Sequence, residues 1–110
     1  MEQVYNKLVR DKIPNIIEQN GEIPITKVLN EIEYKKELEK KLYEEYQEVL
    51  ESNGNERLEE LADMLEVIKS LALLENKSLD DIISISNQKS EKRGSFTERI
   101  FLEKVIISKE

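Results

Sequence analysis

The chain has no cysteine and no histidine. The first absence removes disulfides and thiol chemistry, the second removes imidazole acid–base catalysis, and together they remove zinc sites of the usual kind. Any chemistry therefore falls to carboxylates, lysines, arginines and tyrosines. Long apolar runs are also missing: none approaches the roughly 20 residues that cross a bilayer, and the N-terminus lacks the apolar core of a cleavable signal peptide. A cytoplasmic protein with no membrane partner is expected. Positive charge is in deficit, with 17 Lys and Arg against 24 Asp and Glu and a formal charge of −7. That balance argues against nonspecific binding to a nucleic-acid polymer or to an anionic membrane surface, so an anionic ligand would need a local basic pocket or a metal. Neither a solenoid-length repeat nor a low-complexity stretch divides the chain. Its 110 residues read as one domain, 1–110, small enough that a partner subunit, in a homodimer or a higher homo-oligomer, would help it bury more surface.

Glycine and proline are scarce, at 3 and 2 residues, and most of them fall at helix ends. Pro14 suits the first turn of a helix running to about Asn20, with Gly21 as its stop. A short extended piece, residues 23–28, follows. Asn30 with Glu33 three residues later reads as an N-cap with a reciprocal partner, opening a helix that continues through Glu51 and stops at Asn53-Gly54. Asn55 is then expected to cap a helix reaching Glu75 or Asn76. Ser78 with Asp81 repeats the capping pattern and starts a helix that ends at Gly94. The tail, residues 96–107, is rich in β-branched and aromatic residues, with Val105-Ile106-Ile107 as its best strand and residues 23–28 as a candidate partner for it. The expected fold is mainly all-α: an antiparallel helical bundle with a minor extended or β element, its four-helix core completed by dimerisation.

Some carboxylates in this pattern sit where a helix should be apolar. At about 100° per residue, the first long helix has a stripe of Tyr34, Leu38, Leu42, Tyr46, Val49 and Leu50, and Glu45 projects inside it, with Glu48 on its margin. The next helix has a wide stripe of Leu58, Leu61, Met64, Leu65, Val67, Ile68, Leu71 and Leu74, with Glu60 inside it and Asp63 at its edge. Each helix thus offers one inward and one marginal carboxylate, three residues apart and so on one face. The Asn53-Gly54 turn folds the second helix back and brings the two pairs to comparable depth. A carboxylate buried without a partner costs several kcal/mol or gives up its charge. Four converging on one bundle interior make sense when a divalent cation holds them together, and oxygen-only ligation points to Mg²⁺ or Mn²⁺. The ordinary explanation, that glutamates on helices are solvated, suits a lone pair better than two pairs on consecutive helices. Glu44 lies on the polar shoulder beside them, as a ligand, a base or a solvated residue.

Glu44-Glu45-x-x-Glu48 followed by Glu60-x-x-Asp63 resembles the E-E-x-x-E and E-x-x-D signature of the MazG-like, all-α nucleoside triphosphate pyrophosphohydrolases. Asn87-x-Lys89-x-x-x-Arg93 resembles that family's third motif, so three ordered motifs cover roughly residues 38–93. The flanks, residues 5–14 (YNKLVRDKIP) and Lys92-Arg93-Gly94-x-Phe96, are similar to a phosphoribosyl-ATP pyrophosphohydrolase-like branch. Two departures stand out: the interval between the acidic motifs is short, and Ser90 stands where many relatives carry an aromatic residue. The resemblance implies a Mg²⁺-dependent hydrolase, with Mn²⁺ as an alternative metal, that cleaves a nucleoside triphosphate between the α and β phosphorus atoms in a house-cleaning role. It implies Glu45, Glu48, Glu60 and Asp63 as metal ligands and a surplus carboxylate, Glu44 or Glu45, as the base for the attacking water. A chain without histidine leaves little else for that role.

The cations are less distinctive. Lys89 and Arg93, four apart, share a helix face and could meet phosphate oxygens, or be surface charge. Asn87 orients a metal-bound water or a sugar hydroxyl, or is a surface asparagine. Lys41, one turn before Glu45, screens the carboxylates, touches a phosphate or forms a structural ion pair. Lys7, Arg10 and Lys12 alternate with apolar residues, and an extended segment would present them to a substrate, with a neighbouring subunit's pocket in reach. Phe96 and Tyr46 are expected in the core, with base stacking as the alternative. Two rival readings remain: phosphoribosyl-ATP as the substrate of the same chemistry, and a noncatalytic acidic helical module that dimerises and regulates a basic partner.

Overall fold

The computed structural model describes residues 1–108 and is all-helical, with helices α1 (Ile13–Gln19), α2 (Glu31–Glu51), α3 (Gly54–Leu74) and α4 (Leu79–Arg93) and no strand among the described residues. The helix ends follow local chemistry. The Asn30 side chain accepts the Glu33 N–H at 2.9 Å, and Glu31 and Glu33 in the first turn of α2 complement its N-terminal dipole. Gly21 takes φ +83 and the Glu22 N–H reaches back to the Ile17 carbonyl at 3.2 Å, which closes α1 in the left-handed manner expected of a glycine stop. Asn76 closes α3 in the same way, at φ +59 with Lys77 N–H on the Ala72 carbonyl at 3.0 Å. In α4, Asp80 and Asp81 lie in the first turn and Lys92 and Arg93 in the last, each sign at the end where the helix dipole favours it.

Two expectations fail. Asn55 does not cap α3, which opens at Gly54 behind Asn53, and Asn53 makes no side-chain cap bond. Gly54 supplies the reversal instead: its φ of +58 is a conformation most residues avoid, and it lets α2 and α3 join through only Ser52 and Asn53. The anticipated extended element is also absent. Residues 23–28 and 96–107 form no ladder, and Ile23, Ile25, Val28, Val105, Ile106 and Ile107 are all exposed. Strand propensity describes how a side chain fits a pleated, half-buried surface, and neither segment is offered one.

The chain divides into two compact units, Met1–Leu79 and a second from Asp80 onward. In the first, α2 lies along α3, and its small core is Leu38, Val49, Val67 and Ala72. Ser52 is buried at the tip, its hydroxyl donating to the Val49 carbonyl at 3.2 Å. One further side chain is buried with them, and it is charged: Glu45, only 8% exposed. In the second unit every side chain of α4 beyond Asp80 is exposed or half-buried, and Phe96 is 97% exposed. Phe96 is therefore no core residue. Nor is Tyr46, at 47% exposure, which stacks loosely on Tyr43 with ring centres 6.2 Å apart.

Candidate metal centre

The buried residues of α2 are Leu38, Glu45 and Val49, seven and then four positions apart, so helical phase alone carries Glu45 to the α3 interface. Glu60 stands seven residues before the buried Val67 and meets the same interface from α3, with Asp63 one turn further along. Glu45, Glu60 and Asp63 each bring one carboxylate oxygen to a common point, all within 4.8 Å of one another. The reversal at Gly54 makes this possible by setting the two helices level.

Buried like charges must be neutralised. Glu60 has its pKa pushed up from 4.5 to about 7, chiefly because the neighbouring Glu48 carboxylate hydrogen-bonds its protonated form, then through burial and the charges of Glu48, Asp63 and Glu45. Glu45 is also raised, first by burial and then by Glu48 and Asp63, with Lys41 pulling weakly the other way. Even so, one oxygen on each, Oε2 of Glu45 and Oε2 of Glu60, is buried without a hydrogen-bond partner. Native interiors rarely leave polar atoms in that state.

The residues fit a hard divalent cation. All donors are oxygens, and on an octahedral ion with bonds of about 2.1 Å two ligand oxygens lie about 3.0 Å apart when adjacent and about 4.2 Å when opposite. The three oxygens, all within 4.8 Å of one another, lie within or close to that range, so at most small side-chain rotations would be needed. Of the four carboxylates predicted from phase, three converge and Glu48 adjoins them from an exposed position. Glu44 is half-buried and forms an ion pair with Lys41 at 3.8 Å. Lys41 thus makes the structural pair that was one of its readings.

Arg10 does not reach outward. Its guanidinium donates to Asp63 Oδ1 at 2.8 Å and lies 3.9 Å from Glu66 Oε1. Lys7 and Leu8 lie along α2, lining a small cleft with Glu37, Lys40, Lys41 and Glu44, and the Lys7 ammonium sits 5.4 Å from the Tyr5 ring centre. Lys12 is exposed at the start of α1. Asn87, Lys89 and Arg93 are exposed residues of α4 and belong to the second unit. Glu66 is the acidic neighbour that motif reading passes over. The signal was present in the continuation of Glu60-x-x-Asp63 by x-x-Glu66, which keeps a carboxylate on each successive turn. Compared with models of protein families, with curated proteins and with solved structures, the chain gives no match in any of the three.

Proposed function

We propose that the chain is a Mg²⁺- or Mn²⁺-dependent nucleotide pyrophosphohydrolase of the MazG-like kind, which converts a nucleoside triphosphate to the monophosphate and pyrophosphate. The observation that carries the reading is Glu45: a carboxylate inside a helix interface, one oxygen unpartnered, with oxygens of Glu60 and Asp63 converging on it. Solvated glutamates do not adopt that arrangement. The reaction class comes from the three motifs that resemble the family's.

Glu45, Glu48, Glu60 and Asp63 would hold the metal. Bound there, it supplies charge neutralisation at the phosphates and a more acidic water. Glu44, paired only at 3.8 Å with Lys41, is the carboxylate left to accept a proton, and Glu45 is the alternative. The water oxygen bonds to phosphorus as the bridging P–O bond breaks, the electron pair leaves with the bridging oxygen, and the water's proton passes to the carboxylate. By resemblance to the family motif, Lys89 and Arg93 are the candidates for phosphate oxygens and Asn87 for a metal-bound water or a sugar hydroxyl, with Lys7 and Lys12 as further cations for an anionic substrate.

A homodimer belongs to the same proposal. At about 100° per residue, Tyr43, Tyr46 and Leu50 fall within about 60° of one another on α2, and Leu58, Leu61 and Leu65 within about 60° on α3. All six are exposed, from 44% to 64%, and a second hairpin laid on both rows would complete a four-helix core. A noncatalytic acidic module would account for the net charge and for these rows, but not for the buried carboxylate.

The test is product analysis over a panel of canonical and damaged nucleoside triphosphates, with phosphoribosyl-ATP included. Monophosphate and pyrophosphate in equal amounts, and none without a divalent cation, are expected from at least one substrate. Release of orthophosphate, or turnover of none of them with Mg²⁺ or Mn²⁺, contradicts the assignment.

A further inference from the structure

The sequence suggests that Arg10 meets a substrate, yet its guanidinium is spent on Asp63. The backbone explains why it is held there: the Arg10 carbonyl accepts the Ile13 N–H at 3.0 Å, which ties the residue to the first turn of α1. From that anchor Nη2 donates to Asp63 Oδ1 at 2.8 Å, while Nη1 stands 3.9 Å from Glu66 Oε1, one helical turn further along α3. Asp63 is also one of the three residues whose oxygens converge within 4.8 Å. A fixed cation and a divalent ion therefore draw on the same carboxylate.

We infer that Arg10 is a tethered counter-cation of the metal-free centre, exchanged when a divalent ion arrives: Asp63 passes to the metal and the guanidinium moves onto Glu66. The inference rests on the metal reading and adds a regulation to it. Two observations point to exchange over permanent support. The Arg10–Asp63 pair is well exposed, with side-chain exposures of 57% and 44%, and pairs of that kind are weak enough to be displaced. The second carboxylate is already close, so the guanidinium needs to shift only about 1 Å to trade a contact of 3.9 Å for a hydrogen bond. Exchange also conserves charge balance, since the cation leaves Asp63 as a stronger one takes its place; Lys69 Nζ lies 3.9 Å from Oε2 of Glu66, so the guanidinium would take the other oxygen, Oε1.

Calorimetric titration of the intact chain with Mg²⁺ alone, and with Mn²⁺ alone, tests this through a double-mutant cycle. If Arg10 competes, Arg10→Gln binds the metal more tightly than the parent, by about two- to five-fold, the range an exposed ion pair supports. Glu66→Gln, which removes the waiting position, weakens metal binding in the parent and has a clearly smaller effect in the Arg10→Gln background. If Arg10 instead props Asp63 as an outer-sphere partner, Arg10→Gln loses affinity, by about 10–100-fold, and the inference is overturned while the metal centre stands. Equal effects of Glu66→Gln in both backgrounds reduce Glu66 to through-space charge and overturn it too. No binding to the parent chain removes the centre and the exchange together.

Discussion

The α2–α3 hairpin places its residues the wrong way round on two sides. Between the helices, where apolar side chains belong, it buries Glu45 and half-buries Glu60 and Asp63. On one outer side, where charge belongs, it exposes Tyr43, Tyr46, Leu50, Leu58, Leu61 and Leu65. The two regions are also set apart around each helix: at about 100° per residue, Glu45 and Glu60 point roughly 130° from the centres of the apolar rows and Asp63 roughly 170°. Each inversion is costly alone, and the proposed function relieves each with a different component. A cation would satisfy the carboxylates, and a second apolar surface would satisfy the leucines. The difference teaches that the sites of a small helical chain can be located by asking which of its residues are misplaced for a monomer, and the chemistry of the misplaced residues names what completes it.

The comparison breaks most severely if the inner carboxylates are ordinary. Glu60→Gln keeps the shape and removes a charge from the crowded interface, so the metal-free fold persists while Mg²⁺-dependent pyrophosphate release falls by at least about 100-fold, no less than loss of an outer-sphere partner costs. Parental rates in that variant would make Glu60 a bystander.

The outer side is tested by Leu65→Asp. Leu65 is 46% exposed in the single chain, so the substitution leaves the hairpin folded. In a two-fold dimer it would bury unpaired carboxylates, at a cost of several kcal/mol, and weaken association by at least about 30-fold. Sedimentation equilibrium at micromolar concentration distinguishes the states: twice the 12.9 kDa chain mass for the parent, and the single mass for the variant. A parent that is monomeric yet active leaves the apolar rows without a partner copy.

A smaller effect sharpens the inner half through pH. Glu60 titrates at about 7 in the folded chain against an ordinary value of 4.5. Between those values the folded state keeps a proton that the unfolded chain has lost, so the contribution is fully present below about pH 4.5 and gone above about pH 7. The melting temperature of the metal-free protein should therefore fall as pH rises across that window, and Glu60→Gln should flatten the slope. A melting curve insensitive to pH between 5 and 8 would mean that the carboxylates do not crowd one another.

What was legible in the sequence was local or periodic. Asn30 with Glu33, Gly21 and Gly94 marked helix ends because capping is settled within a few residues. Glu45 and Glu60 were found inside the interface because helical phase is independent of tertiary detail. Apart from Asn55, a local miss of two positions because α3 opens at Gly54 behind Asn53, what failed depended on distant partners. Strand propensity at Val105-Ile106-Ile107 says nothing about whether a second strand exists, and the aromatic rings of Tyr46 and Phe96 carry no sign of which surface will meet them. Arg10 is 53 positions from Asp63, and no period links an irregular N-terminal segment to a helix that far along. The stripe on α3 is wide already in the sequence, and the structure leaves part of it exposed, at Leu58, Leu61 and Leu65.

The central claim is that Glu45 is buried for the sake of a cation, and thermal melting with and without Mg²⁺ tests it most directly. A ligand that binds only the folded state at 100 times its Kd stabilises by about 2.7 kcal/mol, roughly 10–20 °C for a chain of this size. The account predicts an upward shift of that order for the parent protein and little or none for Glu45→Gln, whose own metal-free melting temperature should equal or exceed the parent's. A parent chain that melts at the same temperature with and without saturating Mg²⁺ and Mn²⁺, or a Glu45→Gln variant that responds as fully as the parent, would contradict it.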